Sequence, residues 1–283
     1  MPRCVIVNDD CRNMSRIGDN EIDLIITSPP YWNLKDYGHS MQIGFGQSLE
    51  DYYASLLQVW NECYRVLKNG KFIAINIGDV FHVNEKTKIY SIIPLHAVII
   101  QQLMSINFIH LGTIIWHKLA KSNISGGGRL PGSYPYPYNG RILFNHEYIM
   151  IFQKPGKQEK KDETTKELSK LTIDEWKIYF NSVWQVKNNK MKDHIATFPE
   201  EIPYRLIKMY SFVNETVLDP FGGIGTTCKA ALKLGRNCIM YEINSQYAKK
   251  SFIDMKSDMF MGNEVVLLEH LQEVNNSNKA LNI

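Results

Sequence analysis

The sequence Thr27-Ser28-Pro29-Pro30-Tyr31 follows a short apolar run, Ile22 to Ile26, that only Asp23 interrupts. A run of this length and composition predicts a buried strand. The two prolines have a fixed φ and no N–H, so they end the strand abruptly and make a stiff turn. A stiff turn at the carboxyl end of a strand suits a ligand site in an open α/β sheet. It would present the Ser28 hydroxyl, backbone carbonyls and the Tyr31 ring.

A glycine-rich stretch far downstream has a similar arrangement, a predicted strand followed by a turn. Residues 217–227 read Val-Leu-Asp-Pro-Phe-Gly-Gly-Ile-Gly-Thr-Thr, and the glycines allow positive φ and a close approach of the backbone to a bulky ligand. The next predicted strand, 238–241, is followed by Glu242, where a carboxylate can accept hydrogen bonds from ribose hydroxyls. A Rossmann dinucleotide site is therefore a local alternative. Asp219-Pro220-Phe221 before the glycines and the absence of a GxGxxG sequence argue against it.

Length and composition limit the class of protein. A chain of 283 residues with 44% hydrophobic residues permits one large α/β domain with insertions, or a domain with a small lobe. The formal net charge of +3 restricts any nucleic-acid contact to local clusters of Lys and Arg. The five dispersed cysteines predict reduced thiols rather than a disulfide framework or zinc site. No apolar run approaches about 18 residues and no signal peptide is evident, so we expect a soluble, cytoplasmic protein.

Hydrophobic periodicity predicts alternating strands and helices along most of the chain. Ser48 is expected to cap a helix over 49–67, which Asn69-Gly70 closes. Further helices are predicted over 92–106, 200–210 and 226–234, and further strands over 4–7, 71–77, 112–117, 144–152 and 216–218. Residues 32–47 are polar, aromatic and turn-prone, and they predict a loop over the site that is mobile until substrate binds.

Together, the two stretches resemble the motifs of the DNA amino-methyltransferases. The catalytic motif of that family is Asp, Asn or Ser followed by Pro-Pro and an aromatic residue, as in Ser28 to Tyr31. Its S-adenosylmethionine (AdoMet) loop is similar to Val217 to Thr227. The catalytic motif comes first here and the AdoMet motif last, which resembles the β arrangement, a circular permutation of the usual methyltransferase order. The resemblance covers roughly residues 1–118 and 194–260.

The resemblance implies the α/β, Rossmann-like fold of AdoMet-dependent methyltransferases. That fold has one mixed, mostly parallel sheet with helices on both faces and a reversed strand among the later ones. The implied organisation is a catalytic half (1–118), a target-recognition insertion (119–190) and an AdoMet-binding half (191–283) of the same domain. Both motifs would then lie close together at the carboxyl edge of the sheet.

The resemblance also implies S-adenosyl-L-methionine as the cofactor and no metal. Its binding is assigned to Asp10, Thr27, Asp219, Pro220, Phe221, Gly222, Gly223, Gly225, Thr226 and Glu242. Asp10 has an alternative role, because it stands where the N-cap of a short helix over 11–17 would be. The resemblance favours a position for Asp10 that faces the adenine of the cofactor.

The catalytic residues implied by the resemblance are Ser28, Pro29, Pro30 and Tyr31. An exocyclic amine shares its lone pair with the base ring and is a poor nucleophile, so acceptors must hold its two N–H groups. The Ser28 Oγ and the Pro29 carbonyl are suitable. The base must leave the duplex at a cost of roughly a few kcal/mol, of which stacking on Tyr31 recovers about 1–3 kcal/mol. Ser28 is too weakly basic to remove a proton first, so we expect proton loss to water late in, or after, methyl transfer.

A loop over 122–141 combines three successive glycines with tyrosines, prolines and flanking arginines. This composition suits phosphate contact and base stacking, although a plain surface loop is the alternative. The residues predicted to contact DNA are Lys35, Lys118, Lys121, Arg129, Tyr136 and Arg141.

Serine at position 28 bears on the target base. Within the family, Ser-Pro-Pro-Tyr is associated with N4 of cytosine and Asp-Pro-Pro-Tyr with N6 of adenine, which favours cytosine. No physical argument makes a hydroxyl exclude adenine. RNA and protein amide methyltransferases have related motifs but usually place the AdoMet motif first. The family's default partners are double-stranded DNA and a cognate restriction endonuclease, and a monomer or homodimer is expected.

Overall fold

The computed structural model describes residues 1–84, 86–87, 90–118, 138, 142, 144–187, 198–257 and 264–269. Its strands are β1 (Arg3–Val7), β2 (Ile22–Thr27), β3 (Leu67–Ile77), β4 (Val80–Val83), β5 (Tyr90–Ile93), β6 (Ile109–Lys118), β7 (His146–Gln153), β8 (Val183–Val186), β9 (Thr216–Asp219), β10 (Asn237–Tyr241) and β11 (Glu264–Leu268). Its helices are α1 (Leu49–Val66), α2 (Leu95–Ser105), α3 (Glu163–Leu168), α4 (Ile173–Tyr179), α5 (Glu201–Tyr210), α6 (Thr226–Lys233) and α7 (Ser245–Ser257). The architecture is α/β, as predicted.

Nine of these strands form one sheet in the order β11-β1-β10-β9-β2-β3-β7-β6-β8, and β4 and β5 form a separate antiparallel pair. Neighbours in the large sheet are parallel except at β7, which runs antiparallel to both β3 and β6. The predicted mostly parallel sheet with a reversed later strand is therefore confirmed. Because of this reversal, β7 begins at the edge where β2, β3 and β9 end.

Helices cover both faces of the sheet. Alternate residues of a strand face opposite sides. On β10, Ile239 and Tyr241 belong to the core that includes α1 and α2, whereas Cys238 and Met240 belong to the core that includes α5, α6 and α7. Each fully buried Leu or Ile in these cores contributes about 1.5–3 kcal/mol. No helix among the described residues is long and apolar enough to cross a membrane.

Helix α1 begins as predicted but ends earlier. The Ser48 Oγ accepts a backbone N–H from the first turn at 3.0 Å. The helix stops at Val66, and Asn69-Gly70 lie inside β3 instead of closing the helix. Gly70 has a φ of +77°, and a Cβ there would lie 3.0 Å from the Gly156 carbonyl oxygen. The positive φ does not close the helix but serves a close crossing between β3 and the turn after β7.

Other elements also differ from expectation. No helix covers 11–17, so the alternative role of Asp10 as a helix N-cap is wrong. The chain after β10 forms α7 and β11, for which no element was predicted. Strand β11 pairs in parallel with β1 at the edge of the sheet. The apolar run of β11 is short and is followed by a polar tail in the sequence. Its pairing with β1, which the sequence does not reveal, is what distinguishes it from a loop.

Cys228 on α6 and Cys238 on β10 form a disulfide, with their Cα atoms 5.3 Å apart. This corrects the prediction that all the cysteines are reduced. The connection between them contains Gly235, whose φ of +76° lets the chain fold back so that β10 runs beside α6. Spacing alone does not reveal that contact. Cys4, Cys11 and Cys63 are free and buried.

Candidate active site

A cavity of about 580 Å³ lies where the two predicted motifs meet. Most of the predicted site residues line it, namely Asp10, Ser28, Pro29, Pro30, Tyr31, Lys35, Lys118, Asp219, Pro220, Phe221, Gly222, Gly223, Thr226 and Glu242. Thr27 and Gly225 are not part of the lining. The other predicted DNA contacts, Lys121, Arg129, Tyr136 and Arg141, lie outside the described residues. The fold thus brings residues from both ends of the chain to one cavity.

Asp219 joins the two motifs. Its Oδ1 accepts the Thr27 hydroxyl at 2.8 Å and the Phe221 N–H at 3.1 Å, and its Oδ2 accepts the Thr227 hydroxyl at 2.6 Å. Burial raises the pKa of Asp219 to about 6, although these donors act in the opposite direction. The carboxylate therefore holds two turns together that are 192 residues apart in sequence.

Glu242 stands just after β10 with both carboxylate oxygens anchored. Its Oε2 accepts the Gly223 N–H at 2.9 Å, and its Oε1 accepts the Asn244 N–H at 2.8 Å. Burial raises the pKa of Glu242 to about 7. Each oxygen keeps a second lone pair, so the carboxylate can accept two further donors, such as the neighbouring hydroxyls of a ribose.

The glycine turn after β9 is shaped for a close approach. A Cβ on Gly222 would lie 2.7 Å from the Met240 Cβ, so a side chain there would displace its neighbour. Gly223 has a φ of +54°, and a Cβ there would meet nothing within 4 Å. The turn therefore leaves an open cradle beside Glu242, and this cradle fits a nucleoside.

The loop over 32–47 lines the cavity. Hydrogen bonds attach it to the part of the cavity wall that would hold the nucleoside. Arg12 donates to the Asp10 carboxylate at 2.9 Å and to the Met41 carbonyl at 3.0 Å. The Asn244 Nδ2 donates to the Tyr37 carbonyl at 2.6 Å. Asp10 is therefore paired with Arg12 at the cavity wall. The mobility expected of this loop stays a prediction.

The Ser-Pro-Pro-Tyr turn is held on two sides. The Tyr52 hydroxyl donates to the Pro30 carbonyl at 2.9 Å. The Tyr31 hydroxyl is hydrogen-bonded to the side chains of Ser28 and Glu147. Burial, together with the charge of Glu147, raises the pKa of Tyr31 well above its ordinary value, so the phenol stays neutral. These bonds fix the Ser28 hydroxyl and the Tyr31 ring beside one another.

Asn76 on β3 and Glu147 on β7 line the cavity and were not predicted as site residues. The Asn76 Nδ2 donates to the Glu147 Oε2 at 2.7 Å and lies 3.5 Å from the Ser28 Oγ. Glu147 also forms an ion pair with Lys118. The sequence did contain a signal for both residues, because each is a polar residue within an apolar predicted strand. Buried polar residues are uncommon without a partner or a function.

The two described residues predicted to contact DNA both lie on the cavity wall. Lys118 is paired with Glu147, as above. The Lys35 Nζ lies 4.5 Å from the centroid of the Tyr37 ring, and burial lowers the pKa of Lys35. In the part of the chain that the structure describes, no group of three or more His, Cys, Asp or Glu could hold a metal ion.

The sequence is similar to known proteins along most of its length. A family model described as DNA methylase matches residues 22–253. The Type II methyltransferase M.MjaI of Methanocaldococcus jannaschii is 35% identical, over 84% of this chain and 86% of that protein. The Type II methyltransferase M.MthZI of Methanothermobacter thermautotrophicus is 30% identical, over 94% of this chain and 81% of that protein.

Solved structures are similar over nearly the whole fold. A putative DNA modification methylase from Thermus thermophilus, solved in complex with S-adenosyl-L-methionine, has a TM-score of 0.78 and 28% identity, and the match covers 96% of this chain and 100% of that one. The PvuII DNA methyltransferase, described as cytosine-N4-specific, has a TM-score of 0.65 and 18% identity, covering 94% of this chain and 95% of that one. The second likeness concerns the fold alone.

Proposed function

Because the chain belongs to the β-class DNA amino-methyltransferases, we propose that it transfers a methyl group from AdoMet to the N4 amine of a cytosine in duplex DNA. One observation supports this most. The Ser28 turn and the Glu242 cradle open into one cavity, and the Thr27–Asp219 hydrogen bond joins them. A methyl acceptor and a nucleoside cofactor can therefore be held together.

The residues of the cradle fit AdoMet. Glu242 has lone pairs free for the ribose hydroxyls, and the turn at Gly222 and Gly223 leaves room for the rest of the molecule. Asp10 lies on the same cavity wall, where it would face the adenine. When bound, AdoMet supplies an electrophilic methyl group on a sulfonium sulfur. Phe198 also lines the cavity, shortly before α5.

Ser28 and Pro29 would hold the acceptor amine. The Ser28 Oγ and the Pro29 carbonyl accept its N–H groups, which turns the lone pair of the nitrogen out of conjugation with the ring. The Tyr31 hydroxyl fixes Ser28 while the ring of Tyr31 offers a surface on which the flipped base can stack. The excess proton of the methylated amine leaves to water. None of these tasks, as assigned to the described residues, requires a metal ion.

Cytosine is proposed over adenine because position 28 is serine, as the family associates serine with cytosine. We further propose that residues 119–190 contain the target-recognition region. Two strands of that span, β7 and β8, belong to the main sheet, so recognition would depend on the segment between β6 and β7. DNA contacts are assigned to Lys35, Lys118, Lys121, Arg129, Tyr136 and Arg141. Two similar proteins are Type II methyltransferases, which supports a role in restriction–modification with a cognate endonuclease.

The decisive experiment uses unmethylated genomic DNA and methyl-labelled AdoMet, followed by digestion to nucleosides and mass spectrometry. We expect label in N4-methyldeoxycytidine. Label in N6-methyldeoxyadenosine would contradict the base assignment and retain the enzyme class. Label in RNA or protein supplied in parallel reactions, with none in DNA, would contradict the proposed substrate altogether.

A further inference from the structure

Asn76 is a buried polar residue on the cavity wall with an unused acceptor. It is 4% exposed and lies in β3 between two fully buried isoleucines, Ile75 and Ile77. Its Oδ1 has no hydrogen-bond partner among the described residues, while its Nδ2 is engaged. A buried acceptor without a partner costs free energy, so its presence in a cavity indicates a ligand that donates a hydrogen bond.

Glu147 determines which way the Asn76 amide faces. An ionised carboxylate only accepts hydrogen bonds, so the group turned toward it must be the Nδ2 donor, which lies 2.7 Å from the Glu147 Oε2. The opposite orientation would place two acceptors against each other. Glu147 is itself fixed, because it is 7% exposed, paired with Lys118 and hydrogen-bonded to the Tyr31 hydroxyl.

The Asn76 amide lies near the Ser28 hydroxyl. The Nδ2 of Asn76 is 3.5 Å from the Ser28 Oγ, and Oδ1 is bonded to the same carbon as Nδ2. A target amine held by Ser28 and Pro29 would therefore bring an N–H into the neighbourhood of this oxygen. Gly78 lies close to both Glu147 and Tyr31. A Cβ on Gly78 would lie 3.2 Å from the Glu147 Cγ and 3.3 Å from the Tyr31 Cε2, so the absence of a side chain there lets these two residues pack against the backbone.

We infer that Asn76 accepts an N–H of the target amine through Oδ1, and that Glu147 is the positioning residue that aims it. This inference rests on the proposed function, because it requires an amine in the cavity. One N–H of the amine would be shared between the Asn76 Oδ1 and the Ser28 Oγ. The other N–H would be donated to the Pro29 carbonyl. The nitrogen lone pair forms the bond to the methyl carbon as the carbon–sulfur bond breaks, and the proton then leaves to water.

The electrostatics favour the same step. Positive charge moves onto the amine nitrogen as the bond to carbon forms, and the negative end of the Asn76 amide dipole faces that nitrogen. The carboxylate of Glu147 lies behind the amide, and its pairing with Lys118 keeps the local net charge near zero before the reaction. Lys118, through its pairing with Glu147, thus serves the base end of the cavity.

The test compares Glu147→Gln, Asn76→Ala and the double variant in the full chain. The readout is the single-turnover rate of methyl transfer from labelled AdoMet to unmethylated duplex DNA at saturating concentrations. Each single variant should be slower by about 10- to 100-fold, the effect of a misplaced reacting group. The dissociation constant of AdoMet, measured by calorimetry, should change by less than about twofold because the Glu242 cradle is untouched.

The double variant separates positioning from a merely structural role. If Glu147 acts through Asn76, adding Glu147→Gln to Asn76→Ala causes no further loss, whereas independent roles multiply the two losses. The matched control is Glu215→Gln, which alters another buried glutamate, 5% exposed and paired with Lys71 before β9. It should lower the melting temperature in a similar way and leave the transfer rate unchanged.

A double variant in which the carboxylate and the amide exchange positions keeps the inference testable if a single variant folds poorly. In Asn76→Asp with Glu147→Gln the carboxylate and the amide exchange positions, so the hydrogen bond between them re-forms and an acceptor still faces the amine. This pair should transfer methyl faster than Asn76→Asp alone. Full activity of Glu147→Gln, or multiplied losses in the double variant, would overturn the inference and leave the proposed function standing. Absence of transfer to DNA by the unaltered protein would overturn the proposed function and the inference with it.

Discussion

Ser28 is the residue on which the proposed chemistry depends most directly. Ser28→Ala removes the Oγ that would hold the target amine and leaves the backbone of the turn in place. We expect the single-turnover rate of methyl transfer to fall by about 100-fold or more, the loss typical of one transition-state hydrogen bond in a closed site. AdoMet affinity, measured by calorimetry, should stay the same because Glu242 lies in a separate part of the cavity.

Ser48→Ala is the matched control for that substitution. It removes the N-cap of α1 and should cost about 1 kcal/mol of stability without slowing methyl transfer. Full activity of Ser28→Ala would show that the turn is not catalytic.

The ionisation of Glu242 gives a pH dependence to cofactor binding. Burial raises its pKa to about 7. Protonation turns one of the two acceptor oxygens into a donor, so the acid accepts fewer hydrogen bonds from the ribose hydroxyls than the carboxylate does. The affinity is therefore greatest above pH 7 and decreases as the pH falls through it. Below that value the dissociation constant of AdoMet should rise by up to about tenfold per pH unit. Calorimetry at a series of pH values measures this rise, and at pH 6 binding should release nearly one proton to the buffer.

The control for the pH dependence is Glu242→Gln. It should bind AdoMet weakly at every pH, with most of the pH dependence gone. A residual change near pH 6 is expected from Asp219, whose pKa burial raises to about 6. An unchanged pH profile in Glu242→Gln would assign the titration to another group.

At the scale of elements, the hydrogen bond from Thr27 to Asp219 joins the ends of β2 and β9. Thr27→Val keeps the shape of the side chain and leaves the buried Asp219 Oδ1 with one donor fewer, at a cost of about 1–3 kcal/mol. We expect a lower melting temperature, weaker AdoMet binding and slower transfer, because both turns move. Thr216→Val changes a buried threonine of β9 at the other end of the strand and should affect stability without affecting the site. Equal effects of the two substitutions on AdoMet binding would contradict this role of Thr27.

The disulfide between Cys228 and Cys238 links α6 to β10. Closing a loop of this size stabilises a protein by roughly 2–3 kcal/mol in the chain-entropy account. Reduction with dithiothreitol should therefore lower the melting temperature by about 5 °C or more in a chain of this size. Calorimetric scans with and without reductant measure the difference, and Cys238→Ser should abolish it. Identical melting temperatures in both conditions would mean that the bond does not contribute to stability.

At the scale of the whole molecule, the parts predictable from sequence are those with local signals. Apolar runs identified the strands around the Ser28 and Gly222 turns, and the reversed strand followed from the family resemblance. The partnership of Asn76 with Glu147 was not predictable, because it depends on the register of β7 against β3. The disulfide depends in the same way on how α6 packs against β10. Strand β11 has too few residues to be recognised without β1 beside it.

The position of β9 between β2 and β10 has a consequence for biosynthesis. Ribosomes deliver β1 and β2 first, yet β1 lies between β10 and β11, and β2 has β9 as one of its two neighbours. The sheet therefore cannot close until the last quarter of the chain has emerged, and contacts this distant in sequence form slowly. A nascent or truncated polypeptide lacks half of the cavity wall. We therefore expect no methyl transfer from a polypeptide that lacks β9 and β10, because Asp219 and Glu242 are then missing from the cavity wall.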